Sequence, residues 1–164
     1  MNIAVEGLSN TITLLPTQGI GSIRFGMSIL EVEQLFGELP KEIEETPEQD
    51  TTLEYPTYGI SFLFDAEVDQ KLTSIDIDQF DRVELYGKSL VGASKSTLIA
   101  LLQEQSIPFS EEVIGDPTSE HILEEYIAAP NFGLELYLDE SHYLASISMG
   151  IYIDEDDCFH WPTD

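Results

Sequence analysis

Pro56-Thr-Tyr-Gly-Ile-Ser-Phe-Leu-Phe-Asp65 and Pro130-Asn-Phe-Gly-Leu-Glu-Leu-Tyr-Leu-Asp139 follow one pattern position for position: Pro, any residue, aromatic, Gly, an apolar strand, then Asp. A second match follows each stretch, Leu72-Thr-Ser-Ile-Asp-Ile77 and Leu144-Ala-Ser-Ile-Ser-Met149, after loops that differ by two residues. A third precedes them: Gly26-Met-Ser-Ile-Leu-Glu-Val-Glu-Gln-Leu-Phe36 is echoed by Gly92-Ala-Ser-Lys-Ser-Thr-Leu-Ile-Ala-Leu-Leu102. The echoes recur after 66 to 74 residues and keep their order, the signature of an internal duplication.

Each unit has a physical reading. Ser28 is a good helix N-cap, and Glu31 three residues later completes a capping box. Ile29, Val32, Leu35 and Phe36 then share one helical face, and Gly37 and Pro40 stop the helix. In the second unit Ser94 caps a helix whose apolar side is Leu98, Ile99, Leu101 and Leu102, ending before Pro108. The strands alternate. Ile60, Phe62 and Phe64 point one way and Ser61 and Asp65 the other; Leu134, Leu136 and Leu138 oppose Glu135 and Asp139. Ile75 and Ile77, and likewise Ile147, Met149, Ile151 and Ile153, continue the apolar face, with Asp76 and Asp78 opposite.

The expected fold is therefore α+β: two tandem helix-plus-antiparallel-sheet modules, helices on one face and a Ser-, Asp- and Glu-bearing face toward solvent. Residues 1–164 read as a single domain with repeats at about 12–86 and 87–153 and an acidic, aromatic tail at 154–164. A strand near Ile12–Leu15 or Ile20–Phe25 is expected to join the sheet edge. Lys41–Thr52 reads as the most disorder-like loop, with Thr11–Phe25 and Gly115–Ser119 as lesser turn-rich segments.

Thirty-two acidic residues against six basic ones set a formal charge of −26, yet 42% of the chain is hydrophobic. Such a chain folds, at a cost in self-repulsion, and attracts basic partners. Arg24, Lys41, Lys71, Arg82, Lys88 and Lys95 are scattered, which disfavours nucleic-acid phosphates and anionic membranes. Cys158 is the single cysteine, so no intrachain disulfide forms. Met1 to Leu15 lacks a basic n-region and reads as neither signal peptide nor membrane span, which makes the cytoplasm the expected compartment.

Gly19-Ile-Gly-Ser-Ile-Arg-Phe-Gly-Met-Ser-Ile-Leu-Glu-Val-Glu-Gln-Leu-Phe-Gly37 resembles the "G-x-I-x-x-G-M-S/T-x-x-E-V" opening of small bacterial proteins in which a helix and a curved antiparallel sheet form one module. Tandem β-lactamase inhibitor protein-like repeats are of this kind, and the resemblance spans about residues 19–153. Two such modules in a small acidic chain look like immunity proteins of bacterial toxin systems. The matching motifs are structural, and secreted inhibitors of this type carry a signal peptide and disulfides, neither of which is expected here. No binding residue is therefore carried over.

Candidate chemistry is sparse. His121, His142 and His160 lie 18 to 21 residues apart, without metalloprotease spacing. Cys158 follows four acids, which raise rather than lower a thiol pKa. Asp154-Glu-Asp-Asp157 and Asp76-x-Asp78-x-x-Asp81-x-x-Glu84 lack the spaced ligands and central Gly of an EF-hand. Gly19-x-Gly21 lacks the Lys and third glycine of a phosphate loop. No catalytic, metal or cofactor site is expected, and no enzyme. The expected role is an immunity-type inhibitor that occludes a basic toxin domain, such as a nuclease, with acids standing in for phosphates. The alternative is a binding or scaffold module whose acidity serves solubility. Partner contacts are expected from Asp154, Glu155, Asp156, Asp157 and Trp161 at the end, Asp76, Asp78 and Glu135 on the strand face, and Glu42, Glu44 and Glu45 in the acidic loop. Trp161 has two readings, an anchor for a partner or a ring folded back on the body.

Overall fold

Short apolar alternations separated by turns leave little room for helix, and the computed structural model, which describes residues 11–36, 42–45, 47–115 and 122–162, holds far more strand than helix. In chain order come β1 (Ile12–Leu15), β2 (Gly19–Ile20), β3 (Ile23–Arg24), α1 (Ile29–Phe36), β4 (Glu42–Glu45), β5 (Thr51–Tyr55), β6 (Ile60–Asp65) and β7 (Lys71–Ile77). There follow β8 (Val83–Leu85), β9 (Lys88–Ser89), α2 (Lys95–Glu104), β10 (Ser110–Gly115), β11 (Ile122–Ala129), β12 (Leu134–Leu138), β13 (Leu144–Gly150), β14 (Tyr152–Ile153) and β15 (Phe159–His160). The fold is α+β with largely antiparallel sheets.

The large sheet has eight strands in the order β10-β11-β12-β13-β7-β6-β5-β4, all antiparallel. Phe62 stands opposite Ile75 and Leu136 opposite Ile147, and both ladders slip register near their hairpin ends, at Leu63/Phe64 and at Tyr137/Leu138. At the joint, Asp76 opposes Ser148, flanked by the Ile75–Met149 and Ile77–Ile147 pairs. Gly59 and Gly133 both take a left-handed φ, 64° and 58°, and their carbonyls accept from Asp78 N at 2.9 Å and Gly150 N at 2.7 Å. Only glycine adopts that conformation cheaply, which explains the aromatic-Gly step before each strand.

One face of this sheet is the core. Ile60, Phe62, Phe64, Leu72, Ile75, Ile77, Leu134, Leu136, Leu138, Ile147 and Met149 are buried in one cluster with Val32 and Phe36 of α1 and Leu98, Leu101 and Leu102 of α2. The Phe36 ring lies 4.0 Å from Tyr55, 5.1 Å from Tyr58 and 5.8 Å from Phe62 between centroids, so α1 packs on the β5–β6 end. Burying such a side chain is worth about 1.5–3 kcal/mol. The capping box forms in full: Ser28 N donates to Glu31 Oε2 at 2.8 Å and Glu31 N to Ser28 Oγ at 3.2 Å. At α2, Thr97 N donates to Ser94 Oγ.

Three expectations need correction. The N-terminal strands do not join the large sheet's edge. They build a second sheet, β3-β2-β1-β8-β9, in which β1 runs parallel to β8. The large sheet's edges are already taken by β4 and β10, and Ile12 and Leu14 find burial beside Val83, Leu85 and Ile20 instead. The acidic stretch expected as a loop is edge strand β4, because Ile43 opposite Leu53 keeps a strand alternation among its acids. The tail begins earlier than expected: Tyr152 pairs with His160 and Ile153 with Phe159 in a small hairpin. Ile153 is therefore 47% exposed rather than part of the core face. Gly37, Pro40, Lys41, residues 116–119 and His121 lie outside the described residues. No helix among the described residues is long and apolar enough to cross a membrane.

Candidate functional site

Period-two alternation leaves the second face of the large sheet to polar side chains. Its register aligns one row across all eight strands: Glu42, Glu54, Ser61, Asp76, Ser148, Glu135, Ala128 and Ser110. Asp76 sits at the joint of the two central strands. Ser148 donates to its carboxylate, yet surrounding protein strips water from it and the nearby Glu135 repels it, so its pKa is raised, burial being the largest cause. Beside it lies a groove of about 460 Å³, lined in part by Asp78, Glu124, Tyr137, Ser61 and Ser146.

Tyr137 donates its hydroxyl to Glu135 Oε2, a bond that with burial drives the phenol pKa upward. Its ring lies 5.0 Å from that of Tyr126 on the next strand. The face therefore presents carboxylates interleaved with two tyrosines and a set of serines. Asp76, Asp78, Glu124 and Glu135 make no ion pair among the described residues. The pairs that do form lie elsewhere: Lys95 with Glu111 at 2.7 Å and with Glu125, and His142 with Glu125 at 3.0 Å. These contacts raise the Lys95 pKa, Glu111 first, and lower that of Glu125, Lys95 first.

The expected site residues separate into three places. Asp76, Asp78 and Glu135 come together on the open face, with Asp78 under the Gly59 turn. Glu42 belongs to the same row at the sheet's edge, while Glu44 and Glu45 stand opposite Thr52 and Thr51. Asp154, Glu155, Asp156 and Asp157 form the turn of the β14–β15 hairpin. Asp154 is occupied there: Asp156 N and Cys158 N donate to Oδ1 at 2.9 and 3.0 Å, and His160 Nε2 lies 2.7 Å from Oδ2. His160, then these N–H groups, lower its pKa. Glu155, Asp156 and Asp157 stay exposed.

Trp161 folds back. Its ring stacks on Phe159 at 5.4 Å, covers the glycine at position 26 and has the Lys71 ammonium 5.3 Å from its centroid. Among the described residues no three His, Cys, Asp or Glu side chains converge in a way that could hold a metal ion. Sequence reasoning missed Glu124, Tyr126 and Tyr137. The signal was present as Glu124-x-Tyr126 in Ile122–Ala129, a strand that the repeat pattern does not mark.

Fold and site together define an α+β protein with an open, acidic and aromatic sheet face. No protein-family model, curated protein or solved structure matches the chain.

Proposed function

We propose that this protein is a non-enzymatic, immunity-type inhibitor, a tandem of two helix-plus-sheet units that neutralises a basic bacterial toxin domain by covering it with the open face of the large sheet. The observation that carries this reading is the carboxylate cluster of Asp76, Asp78, Glu124 and Glu135, which makes no ion pair among the described residues, on the polar face of the large sheet in a chain of charge −26. The tandem reading, and with it the likeness to β-lactamase inhibitor protein-like repeats, draws on the shared registers of β6–β7 and β12–β13 and on the matched turns at Gly59 and Gly133.

An antiparallel sheet face is stiff, so its carboxylates are held in fixed positions before binding, which spares ordering entropy on association. The long-range field accelerates encounter with a cationic surface, and tyrosines among the acids supply the amphipathic contact area that hot spots favour. Asp76, Asp78, Glu124 and Glu135 would meet lysines and arginines that otherwise grip phosphates. The protein acts in this scheme inside the toxin-producing cell, in the cytoplasm.

The test is co-purification with the product of the adjacent reading frame, followed by assay of that product's toxic activity with and without stoichiometric inhibitor. Tight one-to-one binding with loss of activity supports the reading. Absence of binding to a basic toxin domain, with the isolated protein stable and soluble, moves the weight to the scaffold alternative.

A further inference from the structure

A cavity of about 660 Å³ lies on the side of the molecule built from the β1–β2 turn, the β8–β9 turn and the C-terminal hairpin. Its walls include Tyr86, Phe132, Tyr152, His160 and Trp161, with Gln18 and Asn131 as polar handles. The volume falls within the range of small-molecule sites. None of the described residues lining it is Asp, Glu, Lys or Arg, although nearly a fifth of the chain is acidic, 32 residues of 164.

The backbone also carries strain at this place. Thr17 and Tyr86 both line the cavity and both have left-handed φ, 68° and 51°. For a β-branched and a bulky residue that is a true outlier, of the sort that gathers at ligand sites. The comparison between hairpins sharpens the point. Ile20 pairs with Ile23 and Leu85 with Lys88, so Gly21 and Tyr86 are the first loop residues of two similar hairpins. Gly21 has φ 52°. Where one hairpin has glycine at this angle, the other accepts strain to place an aromatic ring against the cavity.

The geometry points to a binding site for a small molecule bearing an alkylammonium head, of the choline class. A negative chain concentrates cations near its surface. Hard metal ions such as calcium and magnesium take carboxylate oxygens, and this wall offers no carboxylate. Ring faces attract quaternary ammonium groups, which shed their weak hydration easily. Trp161 already has one ammonium near its ring, that of Lys71, and a second neighbouring cavity lies on that flank, with Lys71, Arg24 and Glu31 in its lining. No lysine or arginine lines the larger cavity, and its His160 is turned to the Asp154 carboxylate. The site stands apart from the open sheet face and does not depend on the inhibitor reading.

Trp161 is the chain's single tryptophan, so its fluorescence reports on the cavity directly. The full chain is titrated with choline, with sodium chloride at matched ionic strength, and with the uncharged analogue in which carbon replaces the ammonium nitrogen. Expected is a saturable change with choline and none with sodium chloride, the analogue binding about tenfold or more weakly. Tyr86→Asn relieves the backbone, because Asn tolerates left-handed φ, and should keep or raise the melting temperature while weakening choline binding about tenfold. Phe132→Leu, followed by calorimetry, gives a second ring deletion that keeps an apolar wall and should weaken choline likewise. A response to choline no larger than to sodium chloride overturns the proposal. So does equal binding of the uncharged analogue, which makes the cavity merely apolar, or full affinity in both folded variants.

Discussion

Gly133→Ala should destabilise this protein more than Gly59→Ala, and both more than Gly87→Ala. All three glycines have left-handed φ, 58°, 64° and 76°, so each alanine incurs about 1–2 kcal/mol of backbone cost. The surroundings then separate them. A methyl group at Gly87 meets no heavy atom within 4 Å. At Gly59 it meets the Asp78 carboxylate and the Gln79 side chain, which follow the end of β7 and lie outside the sheet ladder. At Gly133 it meets the backbone carbonyl of Gly150, whose residue is paired with Ser74 in the ladder that joins the two halves of the sheet. That carbonyl cannot move without shifting β13 against β7, an overpacking cost of about 1–3 kcal/mol on top of the first. The expected losses are therefore about 1–2 kcal/mol for Gly87, about 2–3 for Gly59 and about 2–5 for Gly133, with Gly133 the larger of the last two. Urea denaturation followed by far-ultraviolet circular dichroism measures them, at constant m-value. Equal losses at all three positions, or a larger loss at Gly59 than at Gly133, would refute the reasoning about the central joint.

Other outcomes follow from the charges and the caps. Asp76 has a raised pKa in the folded state, so the stability of its protonated form is present at low pH and lost as pH rises through that value. Asp76→Asn should therefore stabilise the protein near neutral pH, by less than about 1 kcal/mol given the residue's partial exposure, and leave its stability unchanged below about pH 3. A neutral-pH loss would show the carboxylate to be favourably engaged. Thermal stability should climb from low salt to a few tenths molar sodium chloride as screening relieves self-repulsion, and a fall would reverse the sign of the argument. Phe36→Ala, which empties the centre of the Tyr55–Tyr58–Phe62 ring cluster, should cost about 3–5 kcal/mol by the same denaturation assay.

The parts of the fold visible in the sequence are those fixed by local chemistry. Ser28 with Glu31 announces a helix start through side chains that reach their own backbone, and the Tyr58-Gly59 and Phe132-Gly133 steps announce strand starts through a backbone angle. Pairing partners distant in sequence leave no such mark. That β1 lies parallel to β8 depends on which edges remain free, and nothing in Ile12–Leu15 alone encodes it. The candidate site was legible in half. Asp76 and Glu135 follow from strand alternation, but their placement in one row comes from the β7–β13 and β12–β13 registers. The acidity of Asp154–Asp157 suggested a free patch, whereas spacing within a tight turn commits Asp154 to its neighbours' N–H groups.

The most direct test of the proposed inhibitor role is to measure both rate constants for binding the product of the adjacent reading frame. Three proteins suffice: the unaltered chain, Asp76→Lys/Glu135→Lys on the open face, and Asp156→Lys/Asp157→Lys in the C-terminal hairpin turn. Each double reversal changes the net charge equally, so both should slow association to a similar degree. If the open face is the contact, the first variant alone should also dissociate faster, by about thirtyfold to several thousandfold, since an unpaired charge left in an interface costs about 2–5 kcal/mol. Unchanged dissociation in the first variant, with faster dissociation in the second, would contradict the account and move the binding surface to the hairpin.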